Sequence, residues 1–124
     1  MKPMGAIPSG FAADAAGRLV IGGIDCETLV EQAGDTPLFV YDFGLIRARI
    51  ASLRDAMPPE LAIHYAIKAN PLPELVQAIA PLVDGLDVAS AGEMAVAVSA
   101  HPHVSFAGPG KRDRELEAAI TAGV

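Results

Sequence analysis

The 124-residue sequence has no tryptophan, a single cysteine, and only 5% aromatic residues. One thiol, Cys26, cannot close an internal disulfide, so no bridged framework holds this fold. Positive charge is also scarce. Nine lysines and arginines against fifteen acidic residues leave a net charge of -6 and a pI near 4.8. Neither nucleic acid nor an anionic membrane surface attracts such a chain, which leaves small molecules or proteins as partners. Apolar runs are broken by charge, proline or glycine well before the roughly 20 residues of a spanning helix. The start, Met1-Lys2-Pro3-Met4-Gly5, has too weak an apolar segment for a signal peptide, so a cytoplasmic protein with no membrane partner is expected. His101-Pro102-His103 has no further ligands at metal spacing and reads as a loop, with no metal expected.

What is present is globular: 52% hydrophobic and 19% charged residues exclude disorder. The mean hydropathy of +0.37 is high for so small a soluble domain and suggests a missing remainder. Residues 1–17 show no sustained periodicity and read as a flexible arm. Arg18-Leu19-Val20-Ile21 before Gly22-Gly23 reads as a strand, and Asp25 caps a helix from Cys26 to Ala33 with Gly34 at its stop. Leu38-Phe39-Val40-Tyr41 reads as a second strand. Asp42 caps the next helix, where Leu45, Ile46, Ile50 and Leu53 fall at helical spacing and Met57-Pro58-Pro59 ends the pattern.

From Leu61 onward strands and helices alternate: strand 61–69, helix 73–83, strand 86–90, helix 92–100, strand 104–108, helix 112–122. Such alternation gives a parallel sheet with right-handed crossovers. The expected fold class is α/β, the first three units of a (β/α)8 TIM-type barrel, preceded by a strand-helix-strand-helix segment. A barrel needs eight units, so at least one sheet edge lacks its partner.

The stretch Leu61 to Pro71 carries the most suggestive residue. Alternation puts Ile63, Tyr65 and Ile67 on one face and Ala62, His64, Ala66 and Lys68 on the other. A partly desolvated lysine at the C-terminal end of a barrel strand is a natural nucleophile toward a carbonyl cofactor. A lysine snorkelling into solvent fits that position equally well. Asp87 alternates with Leu86 and Val88, so it points to the face of Lys68, where a carboxylate would favour the ammonium form. His64 falls one layer below and is more in keeping with a core group. Asn70 before Pro71 suits a turn anchor. Ser90 and Glu93, three residues apart, suit a capping box as well as a site contact. Lys111, after Gly108-Pro109-Gly110, is either a contact at the mouth of a site or a surface cation.

Tyr65-Ala66-Ile67-Lys68-Ala69-Asn70-Pro71 resembles the Tyr-Ala-x-Lys-Ala-Asn segment of the fold-type III pyridoxal phosphate decarboxylases, the group of diaminopimelate, ornithine and biosynthetic arginine decarboxylases. Asp84-Gly85-Leu86-Asp87-Val88-Ala89-Ser90-Ala91-Gly92-Glu93 resembles the family's next strand. Val104-Ser105-Phe106-Ala107-Gly108-Pro109-Gly110-Lys111 resembles the third, in a version similar to the subgroup associated with exosortase and exopolysaccharide loci.

The resemblance implies that Lys68 attaches pyridoxal 5'-phosphate and that Asp87 is its catalytic neighbour, with Asn70, His64, Ser90 and Lys111 as further candidates around the cofactor. It does not give His64 the family's cofactor-stacking role, which belongs to a later histidine, nor Cys26 the role of the family's catalytic cysteine. It implies residues 18–41 associated with a β-domain, residues 42–124 as the N-terminal part of the cofactor barrel, an amino-acid substrate, and a homodimer for the full-length protein. The family's phosphate loop, its glutamate toward the pyridine nitrogen and its cysteine segment from the dimer partner have no counterpart in these residues. Weak or absent cofactor occupancy and negligible activity are therefore expected of this polypeptide alone. Two other readings stand beside this one: a non-catalytic module for cofactor carriage or protein association, and an amino-acid racemase on the related alanine racemase-like barrel.

Overall fold

The computed structural model describes residues 10–124, which divide into two compact units, one ending at Ile46 and the other Arg47–Val124. In the first, β1 (Ala12–Ala13), β2 (Leu19–Ile21) and β3 (Ile24–Asp25) form a small antiparallel sheet in that order. Ala12 pairs with Val20, so residues 12 and 13 belong to a sheet and not to the arm expected over 1–17. That pairing was hidden because alanine has little strand preference and the hydrogen bonds come from β2. The rest of the expected arm, residues 1–9, lies outside the described residues.

Helix α1 (Cys26–Ala33) begins where the Asp25 carboxylate accepts a hydrogen bond from the Thr28 amide. It ends at Gly34, whose φ of 87° is left-handed and suits a residue without a side chain. The strand expected at Leu38 to Tyr41 does not form: the segment has no regular secondary structure and no ladder partner among the described residues, and Phe39 is 82% exposed. Its β-branched and aromatic residues fit a pleated surface but cannot make one without a neighbouring strand. Helix α2 (Phe43–Ala56) follows, with Asp42 accepting from the Leu45 amide at 3.2 Å.

The second unit is built on a parallel sheet of β4 (His64–Ala66), β5 (Gly85–Val88) and β6 (Val104–Phe106), in that order. Each strand leads into a helix: α3 (Pro73–Ile79), α4 (Ala91–Ala100) and α5 (Asp113–Ala122). These are the three β/α units expected of a partial barrel. Helix α3 stops short of the expected Val83 and continues as a 3-10 turn over Ala80–Leu82, since Pro81 has no N–H to extend an α-helix.

The register divides the sheet into two faces. Tyr65, Leu86 and Val104 share one, as do Val88 and Phe106, while Ala66, Asp87 and Ser105 share the other. Leu86 and Val88 are fully buried together with Ile67 and Val76, and Ile79, Met94, Ala97 and Ala119 complete the core under the helices. Arg54 fixes the opposite end of the sheet, pairing with Asp84 at 2.6 Å while the same carboxylate oxygen accepts from the Ile63 amide at 2.7 Å. No helix among the described residues is long and apolar enough to cross a membrane.

Candidate functional site

Lys68, Asn70, Ser90 and Lys111 follow the C-terminal ends of the parallel strands and Asp87 lies within β5, whereas His64 opens β4 at the other end of the sheet. Strand β4 was expected to run through Ala69 but ends at Ala66, and Lys68 lies in a 3-10 turn over Ile67–Ala69. Alternation alone could not separate strand from turn, because it also points Ile67 inward, and in the turn Ile67 is 0% exposed. With Ile67 anchored inward, the next side chain, Lys68, is exposed. The turn is closed by the Asn70 amide donating to the Ile67 carbonyl at 3.0 Å. Asn70 then accepts through Oδ1 from the Leu72 amide at 3.1 Å, and its carbonyl accepts from the Tyr65 hydroxyl at 3.1 Å. Asn70 is thus the anchor of the lysine turn.

Asp87 is the register partner of Ala66 on one side and Ser105 on the other. Asp87 was expected beside Lys68; the two form no ion pair among the described residues, Lys68 lies in the turn after β4, and Asp87 Oδ1 accepts from the Ser105 hydroxyl at 2.9 Å. The Lys68 amine makes no hydrogen bond or ion pair with the described residues. His64 is the register partner of Gly85, and its ring lies over that glycine so closely that a Cβ there would sit 2.5 Å from Cε1. One face of the sheet therefore presents His64, Asp87 and Ser105 among the small residues Ala66 and Gly85.

Ser90 caps α4, accepting from the Glu93 amide at 3.2 Å, while Glu93 Oε2 accepts from the Ala89 amide at 2.9 Å. The reciprocal bond of the cap thus falls one residue earlier than a capping box would place it. Lys111 folds back on its own loop. Its ammonium donates to the Gly108 carbonyl at 2.7 Å and lies 4.9 Å from the centroid of Phe106, which belongs to the opposite face of the sheet. Among the described residues, no group of three or more His, Cys, Asp or Glu could hold a metal.

Two contacts escaped the sequence reading. Ser105 meets Asp87 only through strand register, and no spacing rule links residues 18 apart. The Arg54 guanidinium hydrogen-bonded to Asp84, helped by the Ile63 amide, holds that carboxyl below its ordinary value of 3.8.

Residues 43–124 match the family model described as pyridoxal-dependent decarboxylase, pyridoxal binding domain. The chain belongs to the pyridoxal-dependent decarboxylases. It is 37% identical over 111 residues to a diaminopimelate decarboxylase of Aquifex aeolicus, covering 87% of this chain and 26% of that protein. A decarboxylase acting on an L-glutamyl acyl-carrier protein in Niallia circulans is 34% identical over 100 residues, covering 78% and 23%. The crystal structure of AQ1208 from Aquifex aeolicus superposes with a TM-score of 0.83 at 35% identity, covering 93% of this chain and 29% of that one. The chain thus spans about a quarter of the length of the curated relatives it matches. Pyridoxal phosphate is the cofactor of this decarboxylase family, and the residues present suit it. An exposed amine stands at the C-terminal end of a parallel strand, and the adjoining face is polar and lined by small side chains.

Proposed function

We propose that these residues form the cofactor-attachment part of a pyridoxal phosphate-dependent amino-acid decarboxylase and have negligible activity by themselves. The observation that carries this reading is Lys68. Its amine stands without a protein partner among the described residues, on a turn that Asn70 and Tyr65 hold rigid, at the sheet end where barrels place their sites. Lys68 would hold the cofactor covalently, and a substrate amine would displace it there. Asp87, oriented by its hydrogen bond from Ser105, would present its carboxyl group on the adjoining face. His64 would line the floor of that face over Gly85. Ser90 and Lys111 would border the mouth, Ser90 at the N-terminus of α4 and Lys111 on the loop after β6. When bound, pyridoxal phosphate supplies the electron sink for the carbanion left by loss of the α-carboxylate.

Residues 18–41 would associate with a β-domain and 42–124 with the cofactor barrel, in a cytoplasmic homodimer acting on a small amino-acid substrate. The two relatives named above act on different molecules, so family membership alone leaves the substrate open. The Phe106 to Lys111 loop supports the exosortase-associated, exopolysaccharide-linked subgroup. Reconstitution of the full-length protein with pyridoxal phosphate tests the reading. A visible absorption band that disappears in Lys68→Ala is expected, together with CO2 release from an amino acid. A wild-type protein that never acquires the band, or a Lys68→Ala protein that keeps it, sinks the assignment.

A further inference from the structure

Resting on that reading, we propose that Ser105 is a positioning residue for Asp87 and fixes how the carboxylate is presented to the cofactor. A strand aspartate has a broad second torsion angle, so an unattached carboxylate on an open face rotates readily. Asp87 is half-buried and has a single side-chain hydrogen bond, from the Ser105 hydroxyl at 2.9 Å to Oδ1. Oδ2 has no hydrogen bond from the described residues. The donor comes from the neighbouring strand at the register position opposite Asp87, so the two Cα atoms are about 4.8 Å apart and a one-carbon hydroxyl just spans the gap. The same hydroxyl lies 3.4 Å from the Leu86 carbonyl. It has one proton, and the shorter bond to a charged oxygen is the stronger, so the proton belongs to Asp87. One carboxylate oxygen is thereby tied to the sheet and the other is left without a hydrogen bond from the described residues.

This arrangement separates the hydroxyl from the volume of the side chain, because threonine keeps the hydroxyl while valine matches threonine in shape without it. The test follows the rate at which the Lys68-dependent absorption band appears when full-length apoprotein is mixed with pyridoxal phosphate, and the pH dependence of that band. Ser105→Val and Ser105→Ala are expected to slow attachment about three- to tenfold, the scale of an ordinary side-chain hydrogen bond, and to displace the pH profile. Ser105→Thr is expected to stay within about twofold of wild type on both readouts. A Ser105→Val or Ser105→Ala protein that attaches cofactor at the wild-type rate with an unmoved profile overturns the role, as does a Ser105→Thr protein that behaves like the valine variant. The alanine variant, a smaller change at an exposed position, keeps the test decisive if valine disturbs the fold. A band that ignores Lys68 sinks the attachment reading and the role of Ser105 with it. A Lys68-dependent band that ignores the hydroxyl overturns the role of Ser105 alone.

Discussion

The two units of this chain are held together by different physics. In the second, one face of a parallel sheet packs against the helices, and Leu86, Val88, Ile67 and Val76 are fully shut off from water. In the first, none of the described residues is buried. There the sheet is two or three residues long per strand, and Arg18 joins it to its helix by pairing with Asp14, Asp25 and Glu27 at 2.7, 3.3 and 3.2 Å. Apolar burial is worth far more than exposed ion pairs, which typically contribute under about 1 kcal/mol. The candidate cofactor face is therefore mounted on the better-secured unit, where Asp87 and Ser105 inherit the rigidity of the strands behind them.

That contrast is broken most directly by cutting equal volume from each unit. Leu86→Ala removes a fully buried side chain between Tyr65 and Val104 and is expected to cost about 2–5 kcal/mol. Leu19→Ala in β2, where the side chain is already 38% exposed, is expected to cost under about 1 kcal/mol. Native-state hydrogen exchange resolves the two, because the amides of Leu86 and Val88 should lose protection in the first variant and keep it in the second. Equal losses would mean that the first unit hides a core of its own.

A second cut tests the polar face of the same sheet. In Gly85→Ala the new methyl meets the His64 ring at 2.5 Å, so the ring must move, and a cost of about 1–3 kcal/mol is expected. His64→Ala in the same protein should recover most of that loss, since the clash is with this ring. Thermal unfolding of the two single variants and the double variant gives the coupling, and strict additivity would show that the backbone, and not His64, resists the methyl.

What the sequence disclosed and what it hid follow the same division between local and non-local causes. Helix ends were legible because their signals are a few residues apart: Asp25 with Thr28, Gly34 at the left-handed stop, Asp42 with Leu45, Ser90 with Glu93. The alternation of three strands with three helices was legible because each apolar run is closed by a turn. The end of β4 was not, since Ile67 is inward whether the chain continues as strand or turns. Leu38 to Tyr41 was misread because strand preference says nothing about whether a partner is present. Lys68, Asp87 and Asn70 could be picked out singly, yet their partners, among them Ser105 and Tyr65, depend on register and turn geometry.

Smaller effects should appear where the first unit relies on a single turn. At Gly34 the backbone is left-handed, and Gly34→Ala places a Cβ in that conformation at a cost of about 1–2 kcal/mol. Gly123 ends α5 the same way with a φ of 76°. Because the core of the second unit lies under α3 and α4 as well, Gly123→Ala should leave the protection of Leu86 unchanged, whereas Gly34→Ala should fray α1 throughout. Amide exchange across Cys26–Ala33 and Asp113–Ala122 measures both, and matching losses would erase the contrast in local support.

The mildest probe is acid, and its sign follows from the direction in which the carboxyl groups are shifted. The Arg18 amide, set against desolvation and aided by the Arg18 guanidinium, holds Asp14 below its ordinary 3.8. The Thr28 hydroxyl and amide do the same for Asp25, and the Arg54 guanidinium for Asp84. A carboxyl with a lowered folded-state value binds its proton more readily when unfolded. Each therefore adds stability that is complete above 3.8 and is lost as pH falls below it through the lowered value. The first unit depends on two such groups around one arginine, while the second has Asp84 at the rim of an apolar core and Glu115, lowered from 4.5 mainly by the Arg112 amide, at the start of α5. On acidification below pH 3.8 the amides of Val20 and Thr28 should lose protection before those of Leu86 and Val88. Added salt should advance that loss at neutral pH by screening Arg18, which is exposed enough for ions to reach. Simultaneous loss across both units would mean that exposed charge pairs and buried side chains fail together, and that the units unfold as one.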